Sequence, residues 1–197
     1  MTPPASGPGS RARGRRAGRP VTSEDLEGLA LDYLARFASS AANLRRVLRD
    51  KVERSARLHG TNREAGLAAI DRLVERLAAA GAVDDRRFAE GRAASLFRRG
   101  ASRRAITAKL AEKGVGGEEI AAALAGLEEM AEDPELAAAI AYARRRRLGP
   151  FRSPDSRVGH RDRDLGALGR AGFALTIARR VVDAEDADTL AAEAAER

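Results

Sequence analysis

A chain of 197 residues that is 44% hydrophobic but only 4% aromatic must build its interior from alanine and leucine, which favour helix over strand. Its formal charge is +7 and it has no cysteine, which excludes disulfide frameworks and thiolate metal sites and gives no sign of secretion. No apolar run approaches the roughly 18 residues needed to span a bilayer, and nothing hydrophobic follows the leading arginines, so a cytoplasmic protein without membrane contact is expected.

Residues 1–22, MTPPASGPGSRARGRRAGRPVT, carry Arg11, Arg13, Arg15, Arg16 and Arg19 without a single acid. They have almost nothing to bury and are expected to be a disordered basic tail. Such a tail either adds non-specific affinity for polyanions or merely solubilises the chain. From Val21 to Asp133 there is then no proline, while glycines recur at positions suited to ending helices, a pattern of helices joined by short turns.

Residues 23–82 read as a first three-helix repeat. Leu26, Leu29, Tyr33 and Phe37 keep to one helical face; Leu44, Val47, Leu48 and Val52 form a second stripe, and Leu67, Ile70, Leu73, Val74 and Leu77 a third. Thr22 or Ser23 is placed to cap the first helix, Ser39 or Ser40 the second, and Thr61 or Asn62 the third. The second helix runs on through DKVERSARLHG instead of stopping at a glycine after Leu48.

Residues 83–131 repeat the pattern. Asp84 and Asp85 stand where a cap and a first-turn anion belong, a reading that fits better than an acid–base pair. The first helix covers 84–99, Ser102 caps a second that runs through Lys113, and Gly117–Glu129 makes the third. Residues 132–183 hold a third repeat, with helices at 133–147, about 161–170 and 173–182. Between the first two lies the stretch GPFRSPDSRVGHR, whose prolines and glycines mark it as a surface loop. LAEKGV, Leu110–Val115, is echoed by LGRAGF, Leu168–Phe173. In each, a glycine ends a helix in left-handed geometry and the apolar residue after it turns back into the core. The spacing implies helical units of about 45 residues stacked in an array. Residues 184–197 form an acidic C-terminal segment.

Catalytic chemistry finds no foothold. His59 and His160 sit in or beside turns without partners at ligand spacing, and no phosphate-binding loop is present. Neither enzyme activity nor a cofactor or metal is expected. Binding is left to the basic residues. Nine bases and two acids lie between Arg86 and Lys113, whereas seven acids and no base lie between Glu118 and Glu135. On the helix holding Phe88 and Phe97, both phenylalanines share the apolar face. Arg92 and Arg99 fall seven residues apart on one flank, and Arg98 projects elsewhere. On the next helix Arg104 faces outward, while Lys109 and Lys113 lie near the apolar rim, where their stems can snorkel. Arg45, Arg46 and Arg49 repeat this habit in the first repeat. In the third, Arg144, Arg145, Arg146 and Arg147 close a helix, where cations also suit its dipole. Singly each is a solvated charge; together they are expected to line one side of the array and meet an acidic, extended partner, either a nucleic acid or a protein with an acidic groove.

AGAVDDRRFAEGRAASLFRRGASRRAITAKLAEKGVGGEEIAAAL, Ala80–Leu124, closely resembles the central module of the RecX family, bacterial regulators of RecA recombinase. The specific pattern is Asp-Asp-x-Arg-Phe-Ala, then Arg-Gly, then Ile-x-x-x-Leu-x-x-Lys-Gly-apolar, and weaker likeness extends from about Leu29 to Val182. The resemblance implies an all-α fold of three tandem three-helix repeats in an elongated, curved array. It also implies a protein that lies along the RecA filament on DNA and inhibits ATP hydrolysis, filament extension and strand exchange in recombination and DNA repair, in some members with contacts to DNA itself. The matching basic positions are Arg92, Arg98, Arg99, Arg103, Arg104, Lys109 and Lys113. The partners expected are therefore the RecA filament and single- or double-stranded DNA, bound by a monomer. An independent nucleic-acid binder is the competing reading, since basic strips neutralise phosphates; against base-specific readout, no base-reading side-chain set or spare aromatic stands out. A helical scaffold for some unrelated partner is the third.

Overall fold

The computed structural model describes residues 19–195. Its helices are α1 (Asp25–Leu34), α2 (Ala41–His59), α3 (Arg63–Ala79), α4 (Asp85–Arg98), α5 (Arg103–Glu112), α6 (Gly117–Ala125), α7 (Pro134–Arg146), α8 (Pro154–Arg170), α9 (Leu175–Val182) and α10 (Ala187–Ala195), with 3-10 turns at Gly126–Glu129 and Gly149–Phe151. No strand occurs among the described residues. Of the tail expected over residues 1–22, residues 1–18 lie outside the described residues. Val21 is tied to α2, donating its N–H to Ser55 Oγ at 2.8 Å.

Short polar side chains start five of the helices. Ser40, Asn62, Asp84, Ser102 and Asp133 each accept the backbone N–H three residues on, bonds that each contribute about 1 kcal/mol. The cap expected for α1 takes another form. Glu24 holds the N-cap position without a side-chain bond, and Thr22 donates both its N–H and its hydroxyl to Asp25. The carboxylate therefore ties down the incoming chain instead of Thr22 or Ser23 tying down the helix.

The apolar stripes close two separate interiors. Leu26 and Ala30 of α1, Leu44, Leu48 and Val52 of α2, and Ile70, Leu73, Val74 and Leu77 of α3 form the first, which also takes in Val83. The second is continuous through α4–α9, joining Ala89, Ala93, Leu96 and Phe97 to Ile106, Leu110, Leu136, Ile140, Leu168 and Val181. It extends to Leu190 of α10, so Ala187–Ala195 of the acidic C-terminal segment forms a helix with Leu190 buried against this core.

Further expectations fail. Phe37 lies beyond the end of α1 and is 55% exposed, its ring centroid 5.2 Å from that of Tyr33. The stretch taken as a surface loop before residue 161 is largely helical, because α8 begins at Pro154. Proline lacks an N–H that a helix would not use at its first position, so it starts this helix where it would break another. His160 is thereby inside α8, its Nδ1 2.8 Å from the Ser156 carbonyl oxygen, and not beside a turn.

Gly114 and Gly172 end α5 and α8 with φ of +70° and +97°, and Val115 and Phe173 behind them are buried. Gly100 is under a harder constraint. At φ +75° it lies against α7 so closely that a Cβ would stand 2.4 Å from the Tyr142 nitrogen and 2.9 Å from the Ala138 carbonyl oxygen. Gly81 has nearly the same φ, +72°, with nothing within 4 Å. Gly81→Ala is therefore expected to cost about 1 kcal/mol, the penalty of left-handed backbone alone. Gly100→Ala must also displace α7 and is expected to cost about 3 kcal/mol or more. Urea denaturation of the two variants checks the difference.

Candidate functional site

Where α4 and α5 face α7 and α8, the surface opens into a cleft of about 900 Å³. Arg92 of α4 and Arg99 at its C-cap, two turns apart, enter from one side, with Lys109 of α5 beside them. Arg145 and Arg146 at the end of α7 enter from another, each guanidinium carbon 5.7 Å from the Tyr142 ring centroid. Arg152 follows the 3-10 turn, and Arg163 and Arg170 descend from α8. Leu96, Ala101, Ala105, Leu148 and Ala167 form an apolar floor. The lining is thus cationic above and apolar below, the arrangement of a surface that grips an anionic partner and excludes water beneath it.

Asp164 is the one acid in this lining and it is spent internally. It is almost wholly buried, accepts the Gly149 N–H at 2.9 Å, and takes the Arg152 guanidinium at 2.8 and 3.2 Å. These hydrogen bonds hold the Arg152 guanidinium above its usual pKa and pin the turn that forms this wall. Arg92, Arg99, Lys109, Arg145, Arg146, Arg163 and Arg170 have no carboxylate partner among the described residues. Like charges about 8 Å apart repel by about 0.5 kcal/mol even through water. Seven such cations around one concavity form a standing unfavourable term that a bound anion removes.

The sequence-derived candidates divide. Arg92, Arg99, Lys109, Arg145 and Arg146 come together in the cleft. Arg98 and Arg144 line a different groove with Phe97, Met130 and Ile140, rimmed by Glu128, Glu129 and Glu132. Arg103 turns to Glu128 at 3.4 Å, Arg104 is exposed beside Gly172, and Arg147 is the exposed left-handed cap of α7. In the first group of helices, Arg45 pairs with Asp71 at 3.3 Å, Arg46 donates to Asn43, and Arg49 is exposed. Lys113 Nζ lies 3.4 Å from Asn43 Oδ1, between the first and second groups of helices. Arg152, Arg163 and Arg170 were not singled out from sequence. The seven-residue spacing of Arg163 and Arg170, both within the helix expected at about 161–170, repeats that of Arg92 and Arg99 and was the available signal; only Arg152 lay in the stretch read as loop.

Among the described residues no cluster of His, Asp and Glu could hold a metal ion, and no helix is long and apolar enough to cross a membrane.

Removing the Asp164 carboxylate leaves Arg152 and the Gly149 N–H without their partner. Because Arg152 keeps some access to water, Asp164→Ala is expected to destabilise the α4–α9 core by about 2–3 kcal/mol, near the low end for a broken buried pair. Asp164→Asn, which keeps one acceptor oxygen, should lose less. Thermal unfolding followed by circular dichroism measures both.

The model of the RecX second three-helix domain matches residues 84–124. The chain is 41% identical over 179 residues to the regulatory protein RecX of Myxococcus xanthus, covering 90% of this chain and 94% of that one. It is 33% identical over 179 residues to the regulatory protein RecX of Thermobifida fusca, covering 89% and 90% respectively, and 34% identical over 146 residues to that of Mycobacterium leprae, covering 71% and 81%. No solved structure matches.

Proposed function

The chain belongs to the RecX family, non-enzymatic regulators that inhibit RecA in recombination and DNA repair, and from that premise we propose that the cleft between α4–α5 and α7–α8 grips the RecA–DNA filament. The observation that carries this reading is the set of seven cations without carboxylate partners around one concavity. A filament offers acidic side chains and phosphates in repeating array, and such an anionic surface relieves the mutual repulsion of the cleft. The chain acts as a monomer laid along several protomers. The remaining basic residues, Arg45, Arg46, Arg49, Arg98, Arg103, Arg104, Lys113, Arg144 and Arg147, add contacts outside the cleft, and linked contacts gain from effective concentration.

Direct binding of single- or double-stranded DNA is the second reading, favoured by the same unpaired cations, since phosphates satisfy guanidinium groups as well as carboxylates do. ATP hydrolysis by RecA on single-stranded DNA, titrated with this protein at fixed salt, separates the two. Filament binding predicts inhibition at substoichiometric amounts that survives a large excess of DNA. Competition for the strand predicts inhibition that extra DNA relieves.

The cleft itself is tested by charge. Arg92→Glu, Arg99→Glu and Arg163→Glu combined are expected to abolish inhibition with the helical circular-dichroism signal unchanged. Arg76→Ala, at an exposed position on α3 outside these contacts whose arginine is paired with Glu27, should leave it within about twofold. In the native protein the inhibition midpoint should rise as salt increases, as screening weakens an electrostatic interface.

A further inference from the structure

The two junctions between successive three-helix groups are built from the same bonds. At the first, Ser40 donates its hydroxyl to the Lys113 carbonyl at 2.5 Å, and the Ala41 N–H donates to Asp85 Oδ1 at 2.7 Å. At the second, Ser102 donates to the Ala171 carbonyl at 2.8 Å, and the Arg103 N–H donates to Glu135 Oε2 at 3.0 Å. A glycine lies at the centre of each. A Cβ on Gly114 would stand 2.4 Å from the Ala42 Cβ; one on Gly172 would stand 2.6 Å from Ser102 Oγ and 3.5 Å from the Arg104 Cβ. Asp85 therefore serves the N-terminus of α2 as well as the first turn of α4, so its role crosses from one group to the next.

The junctions differ in what lies behind these bonds. Behind the second runs the continuous apolar interior of α4–α9, with the backbone of α7 seated on Gly100. Behind the first there is none: the interior of α1–α3 ends at Val83, and no buried apolar residue belongs to both clusters. Apolar burial resists any motion that rehydrates it, whereas a few hydrogen bonds exchange readily with water.

We propose that the first junction is a hinge locked by Asp85, so that Asp85 is a positioning residue holding the cations of α2 in a fixed relation to the arginine-lined cleft. The hinge stands on the geometry alone; its effect on RecA rests on the function proposed above. Closed, it presents both cationic surfaces to one partner at once. Released, it leaves the cleft intact and removes the linkage between the two. A hydrogen bond to a carboxylate shifts such an equilibrium by about tenfold or more.

Because the chain has no cysteine, introduced pairs can be spin-labelled cleanly. Arg72→Cys with Ala121→Cys spans the first junction, from α3 to α6; Ala121→Cys with Asp162→Cys spans the second, from α6 to α8. Asp85→Ala is expected to broaden the first distance distribution and leave the second unchanged, and Glu135→Ala to broaden neither. Asp85→Asn, which retains an acceptor oxygen, should return the first toward native width. Gly114→Ala wedges the same junction from its other side and should broaden it independently. A first distribution that stays narrow in both Asp85→Ala and Gly114→Ala overturns the hinge. In RecA ATPase assays the inhibition midpoint of Asp85→Ala should rise about tenfold with maximal inhibition retained. A broadened junction with an unchanged midpoint overturns the positioning role. If the native protein does not inhibit RecA at all, the proposed function fails, and the distances alone decide the hinge.

Discussion

Ser40 and Ser102 each use one hydroxyl twice, accepting a backbone N–H of the helix they start and donating to a carbonyl at the end of a helix in the next group. Both are fully buried, and burial leaves a hydroxyl no choice but to satisfy both halves of its hydrogen-bonding capacity within the protein. The position of one helix start therefore dictates where a neighbouring helix must end. The glycine beside each end has no Cβ, which lets the two backbones approach to the distance these bonds require. These two joints fix where the start of α2 meets the end of α5 and where the start of α5 meets the end of α8.

The charge pattern is a consequence of that stacking. Along the chain the cations alternate with acidic stretches, but the fold pairs the acids off elsewhere. Asp71, Asp183, Glu53 and Glu128 each take an arginine outside the cleft, and the hydrogen bonds from Arg161 hold the Asp183 carboxyl below its usual range. Asp164 is buried in the wall it stabilises. What remains facing the concavity is an excess of guanidinium groups over an apolar floor. Guanidinium suits this task, because its planar set of donors matches carboxylate and phosphate oxygens in pairs.

Rigidity and binding are thus divided along the chain. The continuous core of α4–α9 keeps the cleft's two walls in register, since each is anchored in the same packed interior. The α1–α3 group has its own core and is joined to the rest by polar bonds and close backbone contact. A regulator that must match a long, helically repeating partner gains from such a division, with one surface preformed and another adjustable in angle.

The helical class and the main stripes were legible in the sequence because 3.6-residue periodicity, short polar caps and stop glycines are local properties of it. The specific pattern around Asp84–Phe88 and Lys113–Val115 carried the family as well. The two roles of Asp85 were half legible: a first-turn anion follows from position, whereas a bond to Ala41 depends on a residue 44 positions away. The start of α8 was missed because Pro154 breaks or begins a helix according to which residues precede it, and Arg152, in the stretch read as loop, was lost with it; Arg163 and Arg170 lay in an expected helix, but their place in the cleft depends on how α8 packs. Sequence by itself determined which residues are helical, apolar and basic, since each depends on neighbours within a few positions. Only the tertiary structure decided which cations meet in one cleft, which are neutralised, and which groups share a core, because those outcomes depend on how helices far apart in the chain are rotated against one another.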